Sequence, residues 1–146
     1  MEHNILLDFV LMVLGSLGLS LAAFIYHKKC QKKPLICPMR ASCDFVTSSS
    51  YSHFCGCRVE VLGICYYSTV IILHAAVAFF PAIFDLTIAR AALFFSASAF
   101  LFSIYLISIQ AFVLKQWCTW CIFSALLCVA IFVVTYFSSP AGVLWW

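Results

Sequence analysis

Charge is what this chain has least of. Eight Lys or Arg and five Asp or Glu make up only 9% of its 146 residues. A soluble domain of this length carries about a quarter charged residues, so a free-standing globular protein is excluded. A net charge of +3 does not point to a nucleic-acid partner. The chain also lacks sequence repeats and low-complexity tracts, and nothing separates a second domain, so one domain over residues 1–146 is expected. Its leading residues, Met1-Glu2-His3-Asn4, contain no Lys or Arg. The apolar run behind them is longer than a signal core, and no clear small-x-small site precedes Lys28. A retained first helix is expected.

Apolar sequence fills the space that charge leaves, at 66% of the chain. Four runs are long enough to cross a hydrocarbon core, which takes ~20 helical residues. They cover about 5–26, 61–80, 91–114 and 118–137. Pro81, Asp85-Leu86-Thr87 and Arg90 supply turn and interface residues between the second and third. Small residues recur four apart, as Ser16/Ser20, Gly18/Ala22, Ala92/Ser96 and Ala99/Ser103. That spacing lets helix backbones approach closely in lipid. The expected fold is an all-α membrane protein: a four-helix transmembrane bundle with a long cysteine-containing loop, Tyr26 to Glu60, between helices 1 and 2.

That loop has local signals of its own. Lys28-Lys29-Cys30-Gln31-Lys32-Lys33-Pro34 is a polar run ended by proline, read as solvated or facing headgroups. Ser42 is a fair N-cap, so a short loop helix over Cys43–Phe54 is expected, ended by Gly56.

Cysteine is the residue in excess. Four spans put the long loop and the Leu114–Cys118 connection on one membrane face, which gathers Cys30, Cys37, Cys43, Cys55, Cys57, Cys118 and Cys121 there. Cys65 and Cys128 lie inside helices and read as small hydrophobes. Cys118-Thr119-Trp120-Cys121 opens the fourth span, where helix N–H groups and the dipole favour a thiolate. Thiolates at such a site serve disulfide exchange or soft-metal binding. The second reading is a mercury-type cysteine carrier, which leaves the Cys37/Cys43 loop without a task.

The chain resembles the vitamin K epoxide reductase family over most of its length. The resemblance rests on Cys37-Pro38, Ser42-Cys43-Asp44, Ser49, Ser50-Tyr51, Gly56, Leu62-Gly63-Ile64, Tyr66-Tyr67 and Trp117-Cys118-Thr119-Trp120-Cys121. It implies a membrane oxidoreductase that passes electrons from a separate thioredoxin-like protein to a quinone. It also implies that Cys37 and Cys43 are the shuttle pair and that Cys118 and Cys121 are the inner pair. Cys121 would act on the quinone, Cys118 would exchange with the loop, and Ser49 would lie near the quinone pocket. Val59 and Ala125 stand where the animal enzymes have an asparagine and a tyrosine. That departure argues against vitamin K epoxide and fits the bacterial branch, which uses ubiquinone or menaquinone.

Secondary expectations concern the remaining polar residues. Cys55 and Cys57 are expected to tie the loop down, through Cys30. His74, inside the second span, is expected to be satisfied by a backbone carbonyl, and Trp145-Trp146 to anchor at the interface. Seven of the eight Lys and Arg (all but Arg90) lie on the cysteine face. The positive-inside rule puts that face in the cytosol. Redox logic puts it outside a bacterial cytoplasmic membrane, where disulfides persist, and that placement is preferred.

Overall fold

A computed structural model describes residues 5–37, 43–80, 82 and 86–138. Helix α1 covers Ile5–Cys30, α2 Cys43–Ser48, α3 Val59–Phe79, α4 Leu86–Ser108 and α5 Thr119–Ser138. A π-helical turn, Ile109–Leu114, continues α4. Four helical segments are long and apolar enough to span a membrane: α1, α3, α4 with its π turn, and α5. The protein is therefore an integral membrane protein with the expected four-span bundle. The Ser42 cap, Pro81, Asp85 and Trp145-Trp146 lie outside the described residues.

The helices run past the ends of the apolar stretches. α1 continues through Lys28 and Lys29, and α4 starts at Leu86 rather than near Ala91. Charged residues end a hydropathic run without ending a helix, since Arg and Lys are good helix formers. Basic residues in α1's last turn also complement its dipole. α3 begins at Val59 with Glu60 in its first turn, for the mirrored reason.

The loop helix is shorter than expected, because it stops at Ser48. Hydroxyls of Thr47, Ser48 and Ser49 turn back onto the carbonyls of Cys43, Asp44 and Val46, at 2.9, 2.6 and 2.8 Å. Such bonds compete with helix continuation. A 3₁₀ turn, Ser50–Ser52, and a two-stranded hairpin follow, β1 (His53–Phe54) pairing antiparallel with β2 (Cys57–Arg58). Gly56 ends no helix. It sits with Cys55 in the hairpin turn, at φ +82° and +51°. Two successive positive φ angles are what a tight two-residue hairpin turn requires.

α1 lies against α3 and α5, and α4 lies against α5. One residue joins three helices. Tyr67 of α3 is buried over Gly18 of α1, where any Cβ would collide with its ring. Its hydroxyl reaches α5, 2.9 Å from Ser124 Oγ and 3.3 Å from Cys128 Sγ. Gly18 and Ala22 are thus a true packing pair. Ser16 and Ser20 are not. They face outward and donate to their own helix at Met12 and Ser16. His74 also departs from expectation, with its Nδ1 2.9 Å from Asp8 Oδ1 across α1 and α3 rather than on a carbonyl. A buried carboxylate is the stronger partner for an imidazole.

Candidate functional site

Two cysteine pairs meet at one end of the bundle. Cys37 and Cys43 form a disulfide, with Cα atoms 6.0 Å apart. Cys43 opens α2 and is buried. It packs in one apolar cluster with Ile25, Leu35, Val46 and Cys118, flanked by Cys37, Trp120 and Cys121. Residues 75 positions apart in sequence, Cys43 and Cys118, are therefore neighbours in one cluster. Trp120 clips this arrangement from above, its Nε1–H donating to the Ile36 carbonyl at 3.4 Å.

Cys118 immediately precedes α5 and works as its cap. Its carbonyl accepts the Ile122 N–H at 3.0 Å, and its sulfur accepts the Cys121 N–H at 3.3 Å. A sulfur here replaces the hydroxyl or carboxylate of an ordinary N-cap. Gln110 of the π turn is buried and accepts the Cys118 N–H through Oε1 at 3.2 Å. The chain then leaves the π turn through Lys115 at φ +50°. The Cys118 thiol is held below its ordinary range. Its hydrogen bond with the Cys121 side chain, and then the backbone N–H groups of Cys121 and Trp120, outweigh burial and the nearby Glu60 charge.

Below the cysteines is a cavity of about 560 Å³ between α1, α3, α4 and α5. Cys121 lines it, whereas Cys118 turns toward the loop cluster. Ser49 lines it from the loop side, and Tyr66, Phe95 and Phe102 supply aromatic walls. Phe54 of the hairpin covers one side, with its ring centroid 5.2 Å from that of Phe102. Val59 and Ala125 are apolar parts of the same lining.

Three further residues were not singled out by the sequence. Gln110 is one. The others are Lys29 and Glu60, whose Nζ and Oε1 are 3.0 Å apart, with Lys29 also donating to Ser52 Oγ at 3.2 Å. Lys29 belongs to the polar run expected to be solvated or to face headgroups, yet its ammonium is directed at Glu60 and Ser52. The signal for Glu60 was present: an acidic residue at the head of an apolar span is a functional candidate by default.

The other cysteines stand apart. Cys55 and Cys57 are both free and exposed, and so is Cys30, whose sulfur takes a 3.6 Å contact from Arg58. The expected tie through Cys30 is therefore absent, and the hairpin itself fixes this part of the loop. Cys128 is buried on Tyr67, and Cys65 lines the cavity.

Comparison with known families matches residues 9–136 to the Vitamin K epoxide reductase family. No individually curated protein matches the chain.

Proposed function

Because the chain belongs to the vitamin K epoxide reductase family, we propose that this membrane thiol oxidoreductase moves electrons from a thioredoxin-like protein to a quinone, so generating disulfides in the partner's clients. Cys37 meets the partner, Cys43 relays to Cys118, and Cys121 faces the quinone. The observation that carries this reading is the division of the inner pair. Cys118 sits in the cluster that holds the loop disulfide, and Cys121 sits on the cavity wall.

The cavity supports a quinone as the acceptor. Its volume lies in the ordinary range of ~300–1,000 Å³ for small-molecule sites. Its walls are aromatic and aliphatic, with few polar groups, as a lipid-soluble ring requires. Tyr66, Phe95, Phe102 and Ser49 would hold the head group, and Cys121 would face it. The quinone supplies a two-electron sink for closing the inner dithiol. Apolar Val59 and Ala125 in the lining favour ubiquinone or menaquinone over vitamin K epoxide.

The chain's own residues do the rest. Once the partner has reduced the loop pair, Cys43 attacks the inner disulfide at Cys118 and Cys121 leaves. Cys37 then closes onto Cys43, and the lowered Cys118 thiol makes it the better leaving group. Cys43 is the loop sulfur nearer to Cys118, because Cys43 belongs to the buried cluster and Cys37 to its edge. Burial of Cys43 and Cys118 keeps the thiols of other folded proteins from them. The existing disulfide favours exchange over the soft-metal reading, since sulfurs bonded to each other are not thiolate ligands.

We place the cysteine face outside the cytoplasmic membrane. Reporter fusions at Trp146 and within 28–33 test that orientation. The relay is tested with two reductants. Cys37→Ser and Cys43→Ser are expected to lose turnover with a thioredoxin-like protein while retaining it with dithiothreitol, which can reach the inner pair directly. Full turnover of both variants with the protein reductant would refute the shuttle.

A further inference from the structure

Glu60 is the one Asp, Glu, His, Lys or Arg among the described residues lining the cavity. It is 8% exposed. Burying a carboxylate in an apolar bundle costs several kcal/mol, which a partner must offset. Lys29 does this at one oxygen only. The other, Oε2, is buried with no hydrogen-bond partner among the described residues. A buried polar atom left without a partner calls for an explanation. The Tyr66 hydroxyl, in the same lining, is likewise buried without a partner. Two orphaned polar groups therefore share one apolar cavity with Cys121.

The proposed reaction needs such a group. Closing the inner dithiol breaks two S–H bonds, forms one S–S bond and releases two electrons and two protons. Reducing a quinone to a quinol consumes two of each. Electrons pass by contact, but protons need a carrier, and the remaining cavity wall is largely hydrocarbon. Resting on the quinone reading, we propose that Glu60 is the proton carrier of this site. Oε2 takes the Cys121 proton and returns it to a quinone oxygen. The Cys118 proton leaves to water at the loop, and its replacement enters from water along Ser52, Lys29 and the same carboxylate. Tyr66 donates a hydrogen bond that orients the head group. Ionisable groups around this route include Lys29 from α1, Tyr66 and Tyr67 on α3, Cys118 just before α5 and Cys121 on it.

Charge and proton carriage predict opposite signs, which makes the idea testable. Glu60→Gln keeps the shape and a hydrogen bond from Lys29 but removes the negative charge. In reduced, quinone-free protein the Cys118 thiolate should then be favoured, and iodoacetamide should alkylate it several-fold faster at neutral pH. Turnover of dithiothreitol with short-chain ubiquinone or menaquinone should nevertheless fall by about 100-fold, the lower range for loss of a general acid–base group. Glu60→Asp should restore part of it. Lys29→Gln should cost less than Glu60→Gln, because the carrier remains. If Glu60→Gln alkylates faster and also turns over as fast as wild type, the carrier is refuted while quinone reduction stands. Equal losses of turnover and thermal stability in Glu60→Gln and Lys29→Gln would reduce the pair to a structural bridge and refute it too. Wild-type protein that reduces neither quinone refutes the parent reading itself.

Discussion

Helices α1 and α3 are joined by a buried polar contact near each end, and the two contacts have opposite surroundings. Lys29–Glu60 borders a cavity of about 560 Å³ beside the thiols. Asp8–His74 borders a gap of about 10 Å³, with Thr135 and Ile131 closing over it. The first has a buried carboxylate oxygen with no hydrogen-bond partner among the described residues. The second is enclosed by packing. The lesson is that a buried polar pair serves two ends in one bundle. Where the walls close, the pair joins the helices. Where they open, the pair stands beside the thiols, which is what the proposed proton carriage requires.

The contrast can be broken most sharply at the thiols themselves. Cys121→Ser is expected to abolish quinone reduction with any reductant, since the cavity wall then holds no sulfur that can pair with Cys118. Undiminished dithiothreitol turnover would remove this end from consideration. Next in size is the Asp8–His74 contact at the far end. His74→Leu should leave turnover per folded molecule unchanged while lowering thermal stability. Removing one partner of a buried hydrogen bond costs ~1–3 kcal/mol. A loss of turnover in the folded variant would erase the distinction between the two ends. Gly18→Ala belongs to the same stability class, because its Cβ meets the Tyr67 ring. Overpacking of this kind costs ~1–3 kcal/mol, read as a lower melting temperature. The smallest effect is expected from replacing Cys55 and Cys57 together by Ser. Both thiols are free and exposed, so turnover and melting temperature should hold. A dead double variant would reassign them to the relay.

What could be read from sequence depended on range. The four spans and both cysteine pairs were legible, because hydropathy is local and a C-x-x-C at the head of a span is a compact signal. The placement of Cys43 at a helix start was legible for the same reason. The extent of α2 was not, since three consecutive serines and a threonine offer the backbone alternatives whose outcome depends on where the loop is seated. Gly56 reads from sequence as a helix end, whereas its positive φ serves a hairpin turn. The partner of His74 lies 66 residues away and leaves no trace near it. Gln110 reaches Cys118 only because a π turn rotates it inward. Glu60 acquires meaning only once Lys29 and the cavity are placed around it.

The central claim is that electrons cross from the loop pair to the inner pair through Cys43 and Cys118, and trapping that bond tests it directly. In a Cys37→Ser, Cys121→Ser double variant the outer and cavity-facing sulfurs are gone, so an exchange intermediate has no exit. Mass mapping of the mildly oxidised membrane protein should find a peptide linked through Cys43 and Cys118. Finding both as free thiols, or Cys43 joined to Cys30, Cys55 or Cys57 instead, would contradict the account.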